Sequence, residues 1–186
     1  MARSGHVKKM AREGESGCAC RSYPPFMHAL YVDGITIEQL RNGDTGTVST
    51  VFERLSDESR RRRFGAPKPR LSSEELALLS RVDAKYHVLV AYVDGDRRPA
   101  GLARLVRIDR RSAEVAFEVA DEHQGRGVGS ALARVLAADA RAAGIVELQA
   151  TVTGEHRQIA SLLARMRGRL RSTWHAGECR VVAALD

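Results

Sequence analysis

The chain has 186 residues, 44% of them hydrophobic, three cysteines and a formal net charge of +7. That length suits one domain with a real core, and three cysteines are too few for a disulfide scaffold. No apolar run approaches the ~20 residues of a membrane helix, and Met1 to His6 carry no apolar leader segment, so a cytoplasmic protein with no membrane contact is expected.

Residues 1–34 read as an N-terminal arm, expected to be partly disordered, and residues 35–186 as the folded domain. The arm is polar and broken by Pro24-Pro25. Its tail, Phe26 to Val32, is apolar enough to cover the domain or a second subunit, which keeps a homodimer open. Cys18 and Cys20 lie in a polar stretch with no second Cys/His pair at zinc spacing, so no metal is expected.

Ile35 to Leu40 alternates and predicts a strand. Val48, Val51, Phe52 and Leu55 have helical spacing, and Ser56 opens a short second helix to about Phe64. Its four arginines, Arg60 to Arg63, point in different directions around a helix. A solvated helix with one arginine turned inward is expected, and an acidic substrate or partner is the alternative. The remaining arginines are scattered without a recognisable DNA- or RNA-binding motif, so nucleic acid is not expected as a partner. Ser72-x-x-Glu75 is a capping box for a third helix.

Tyr86 to Val93 is almost wholly apolar, as in a strand covered on both faces. Gly101 to Ile108 and Ala113 to Ala120 follow across short turns, which predicts an antiparallel meander. In the last of these, Ala113, Val115, Phe117 and Val119 share one face; Glu114, Ala116, Glu118 and Ala120 share the other. Gln124 to Ser130 is glycine-rich and opens an Ala/Leu-rich helix over about 127–143. Val146 to Val152 alternates again and, reached through a helical crossover, runs parallel to its predecessor. A helix bearing Ile159, Leu162, Leu163 and Met166 precedes a closing hairpin, Leu170 to Trp174 and Cys179 to Leu185, turned at Ala176-Gly177. Cys179 falls on the inward face.

The glycine-rich junction is the place for chemistry. Gly125, Gly127 and Gly129 let the backbone bend and present its N–H groups, and a helix N-terminus adds unpaired donors and partial positive charge. Such a turn suits a diphosphate or is a plain tight turn. Its spacing is neither the dinucleotide fingerprint nor a P-loop.

Gln124-x-x-Gly127-x-Gly129, after a strand and opening a helix, resembles the coenzyme A motif (Arg/Gln-x-x-Gly-x-Gly/Ala) of the GCN5-related N-acetyltransferase (GNAT) superfamily. The likeness spans about residues 35–186. The string from Ala113 to Gly127 is most similar to the acetyltransferase domains of bacterial protein-lysine acetyltransferases. The resemblance implies an α/β fold: a mixed, mostly antiparallel six- to seven-stranded sheet flanked by helices, with one splayed strand pair for coenzyme A. It implies acetyl-CoA as cofactor and a primary amine, on a protein lysine or a small molecule, as acceptor. A non-catalytic acyl-CoA sensor is the competing reading.

Carried over by position, the resemblance puts the diphosphate on the amides of Gln124, Gly125, Arg126, Gly127, Val128, Gly129 and Ser130. The thioester carbonyl then faces the N–H of Val119 or its near neighbour. Arg126 adds charge or is a plain surface arginine. Glu114 is the leading general base, expected half-buried among apolar neighbours with a raised pKa. Its alternative is a structural carboxylate paired with Arg104 or Arg107. Glu118 is the second candidate base, or else an ion-pair or substrate-binding residue. His123 is expected on the surface. Relatives often carry Asn where this chain has Glu155-His156-Arg157, and His156 is the candidate to bond the cofactor arm. They also often place a thiolate-protonating Tyr where this chain has Leu163.

Overall fold

The computed structural model describes residues 30–153, 157–165 and 168–185. The strands among them are β1 (Leu30–Val32), β2 (Ile35–Gln39), β3 (Tyr86–Val93), β4 (Pro99–Arg107), β5 (Ser112–Val119), β6 (Glu147–Thr153), β7 (Gly168–His175) and β8 (Glu178–Leu185). The helices are α1 (Thr45–Glu53), α2 (Asp57–Phe64), α3 (Ser73–Leu79), α4 (Val128–Ala142) and α5 (Arg157–Arg165). The strands form one sheet ordered β1-β2-β3-β4-β5-β6-β8-β7. Every neighbouring pair is antiparallel except β5 and β6. That exception follows from α4, which returns the chain to the start of the sheet before β6 begins.

The sheet therefore has eight described strands, not six or seven. The added one, Leu30–Val32, lies in the segment read as arm. It pairs with β2 across Asp33 and Gly34, whose φ values of 50° and 78° make the tight turn. A three-residue strand has too little alternation to be read from its sequence.

Strand β3 is almost wholly apolar because both its faces are covered. Leu89 and Ala91, with Ala103, Leu105, Ala113 and Val115, pack against α4. Val88, Val90 and Leu102 pack against Val48 and Val51 of α1, with α3 alongside. Leu132 and Leu136 of α4 are fully buried; each contributes about 1.5–3 kcal/mol by leaving water. The capping box is present: Ser72 accepts from the Glu75 amide while Glu75 accepts from the Ser72 amide.

Helix α2 has no buried residue and is held by its arginines. Arg60 lies 4.4 Å over the Phe52 ring and donates to the Phe52 carbonyl. Arg63 reaches Glu118 of β5. Two arginines turn inward where one was expected. The helix lies against both β5 and β6, so it crosses the face of the sheet where these two strands meet. No described helix is long and apolar enough to cross a membrane.

Candidate active site

Strands β5 and β6 pair only over Ser112–Glu114 and Glu147–Gln149. Beyond Glu114, β5 runs five more residues to Val119 and β6 runs to Thr153, with no further rungs between them. The two strands therefore enclose a gap that opens toward the N-terminus of α4.

The register of β4 and β5 shows which amides face this gap. The Ala120 N–H donates to the Ala100 carbonyl at 2.8 Å. Hydrogen-bonded and non-hydrogen-bonded pairs alternate along an antiparallel ladder. The next pair bonded to β4 is thus Glu118 with Leu102, and Val119 opposite Gly101 points its N–H and carbonyl away from β4. The Val119 carbonyl does face that way, accepting from Gln124 Nε2 at 3.1 Å. The same amide nitrogen lies 3.1 Å from Ser59 Oγ and 3.2 Å from Asp121 Oδ1. Gln124 thereby ties the end of β5 to the loop before α4 and to α2.

The loop after β5 makes one 3₁₀ turn, Asp121–His123, and then two left-handed residues, Gly125 at φ 74° and Gly127 at φ 89°. A side chain at either would be strained, although the space around both is open. Gly127 is the N-cap of α4, and no side chain caps the helix there. The first helical bond runs from the Ala131 N–H to the Gly127 carbonyl. The amides of Val128, Gly129 and Ser130 thus precede the helical ladder, at the end of α4 that carries partial positive charge. Gly129 lies under α5: a Cβ there would meet Leu162 at 3.4 Å, an ordinary contact.

One expected amide is not available. The Gln124 N–H is bonded to the Asp121 carbonyl at 3.2 Å, because the 3₁₀ turn consumes it. Gln124 enters the site through its side chain.

On the face of β5 away from α4, Glu118 is buried and Glu114 is exposed. Glu118 Oε1 accepts from Arg63 Nε and from Arg104 Nη1, each at 2.9 Å. Arg104 also donates to the Leu79 carbonyl, and its buried Nη2 has no hydrogen-bond partner among the described residues. Burial pushes the Glu118 carboxyl up, but the charges of Arg104 and Arg63 outweigh it, and the pKa falls below the ordinary value. Glu118 is therefore held ionised in an ion pair.

Glu114 differs from expectation. It is exposed, not half-buried among apolar neighbours. The inward positions of β5 belong to Ala113 and Val115, and among the described residues none covers Glu114 at the fork. Nor is Arg104 its partner, since Glu118 takes that guanidinium; Arg107 donates to the Ala143 carbonyl.

His123 is buried, not on the surface. Its Nε2 lies 3.1 Å from Asp96 Oδ2 and its Nδ1 lies 3.2 Å from Arg126 Nη1. Arg54 joins the cluster through Asp96 at 2.5 Å and Glu122 at 2.8 Å. Asp96 is held well below the usual carboxylate range by the Arg98 amide, His123 and Arg54. The sequence carried no signal of this: Arg54 ends α1, Asp96 lies in the β3–β4 turn, and His123 and Arg126 share the loop before α4. His156 lies outside the described residues. Leu163 is fully buried in the core between sheet and helices. Trp174, on the edge strand β7, is largely exposed.

A mostly antiparallel sheet, one parallel pair parting beside an uncapped helix N-terminus, and a glycine-rich turn between them define an acyl-CoA-dependent transferase architecture. Residues 52–168 match the model of the acetyltransferase (GNAT) family, and the chain belongs to that family. It is a GNAT-type N-acetyltransferase. Its structure is similar to the GNAT domain of PAT from S. lividans, with 30% identity and a TM-score of 0.72 over 81% of this chain and 90% of that one. A cAMP-binding acyltransferase from Mycobacterium smegmatis, in a mutant form, shares 26% identity at a TM-score of 0.55, over 85% of this chain and 47% of that chain. A putative acetyltransferase from Salmonella typhimurium with its cofactor acetyl-CoA has the same fold at 18% identity, TM-score 0.62, over 83% of this chain and 95% of that one.

Proposed function

We propose that the protein acetylates a primary amine by direct transfer, with Glu114 as general base. The observation that supports this best is the position of Glu114, on the last rung before β5 and β6 part. Acetyl-CoA supplies an activated acetyl thioester to this gap. The amides of Val128, Gly129 and Ser130, with Gly125, Arg126 and Gly127 shaping the turn, hold the diphosphate. The Val119 N–H, aimed into the gap, donates to the carbonyl oxygen as it gains charge. Glu114 takes the proton of the amine through a water, from the solvent-open side of the fork.

Glu118 does not serve as base in this reading. A carboxylate shared by two guanidiniums is a weak proton acceptor. Its role is to hold α2 across the face of the gap, where the acceptor enters. Leu163 supplies no proton, so the leaving thiolate is protonated from water or by the proton taken from the amine. The likeness to S. lividans PAT favours a protein lysine as the acceptor over a small amine, and acetyl-CoA supply fits a cytoplasmic setting.

The test is a screen of lysine peptides and small amines by thiol release, with wild type and Glu114→Gln compared. Loss of turnover in the variant, with acetyl-CoA binding by calorimetry retained, supports the base. Equal rates for the two proteins would refute it.

A further inference from the structure

We propose that His123 is a positioning residue for acetyl-CoA, acting through Arg126; this rests on the acetyl-CoA reading above. Arg126 sits between the two left-handed glycines, beside the uncapped amides of α4. An untethered surface guanidinium would lose side-chain entropy on gripping a phosphate. Here it is tethered in advance. Its Nη1 lies 3.2 Å from His123 Nδ1.

The tether has a defined polarity. A guanidinium only donates, so Nδ1 accepts and the imidazole is neutral. The proton is then on Nε2, which donates to Asp96 Oδ2 at 3.1 Å. Asp96 is fixed in turn by Arg54 at 2.5 Å, by the Arg98 amide at 3.0 Å and by the Arg98 side chain, while Arg54 also holds Glu122. His123 is only 5% exposed, so its ring has little freedom to turn. The chain Arg54, Asp96, His123, Arg126 therefore runs from the end of α1 to the anion site. It keeps one guanidinium aimed where the diphosphate binds, and such preorganisation raises affinity by lowering the ordering cost.

The experiment measures acetyl-CoA dissociation constants by calorimetry for wild type, His123→Leu, His123→Gln, Arg126→Gln and His123→Leu/Arg126→Gln. His123→Leu cannot accept from Arg126 and is expected to weaken binding about tenfold, the size of one charge-assisted hydrogen bond. His123→Gln carries both an acceptor and a donor and is expected to stay near wild type. In the Arg126→Gln background, His123→Leu should add nothing. Acetyl-dephospho-CoA should show the same loss as acetyl-CoA, which assigns Arg126 to the diphosphate; a loss confined to acetyl-CoA would assign it to the 3′-phosphate and overturn the proposal. Unchanged affinity in His123→Leu, or equal losses in the Leu and Gln variants, would also overturn it. Wild type that binds no acetyl-CoA would instead remove the cofactor reading itself.

Discussion

Glu114 and Gln149 face each other on the last rung of the single parallel pair, and past them the sheet opens. One residue thus marks both the point where the strands part and a solvent-accessible carboxylate. If the carboxylate is the base, Glu114→Gln should lower kcat by about 10²–10⁴-fold while leaving the unfolding midpoint unchanged. Glu114 is exposed and sits in no described ion pair, so the fold does not depend on its charge.

Glu118 should behave in the opposite way. Glu118→Gln leaves Arg63 and Arg104 facing each other without a counter-charge. Breaking a buried pair in this way costs about 3–5 kcal/mol, read from chemical denaturation. Little loss of stability would show that the ion pair is not needed to hold α2 on β5.

The same carboxylate sets an acid limit. Its folded pKa is depressed, so it contributes stability above the unfolded value near 4.5, and that contribution is lost as pH falls through the lower folded value. Asp96 is depressed too and acts in the same direction. Both losses fall in the acid range, so stability should drop steeply below about pH 5. Glu118→Gln should flatten the fall, a change that melting curves from pH 3 to 7 would reveal.

Gly101→Ala tests the close approach beneath the site. A Cβ there would stand 2.8 Å from the Glu118 carbonyl and 3.3 Å from Val128. Backbone cannot yield cheaply, so a loss of about 1–3 kcal/mol is expected, together with weaker acetyl-CoA binding as α4 is pushed outward. Gly127→Ala meets no neighbour and should lose only the left-handed backbone preference, about 1–2 kcal/mol. The ordering of the two losses, read from thermal melts, is the check.

Leu163→Tyr asks whether an acid can be restored where relatives often have one. Leu163 is fully buried in the core. The larger ring should overpack the interior by about 1–3 kcal/mol and give no gain in kcat. Faster turnover would show that α5 can present a hydroxyl to the gap.

The periodicity of the chain was enough for most elements. Tyr86–Val93 is a strand with the bounds its apolar run suggested, the Ser72–Glu75 box caps α3, and Ala176-Gly177 turns the last hairpin. These are local matters: alternation, capping and positive φ act within a few residues, so they leave a local mark. The glycine pattern and the strand before it marked the turn and the start of α4 for the same reason. What each carboxylate on β5 does was not local. Glu114 and Glu118 share one face and one strand, and only the tertiary structure makes the first exposed at a fork and the second a buried counter-ion. The deciding partners, Arg63 and Arg104, lie 55 and 14 residues away in sequence. His123 likewise became an internal relay only because Asp96 and Arg126 were brought to either side of it. Charge environment depends on what the fold places within a few ångströms, and no window along the chain contains it.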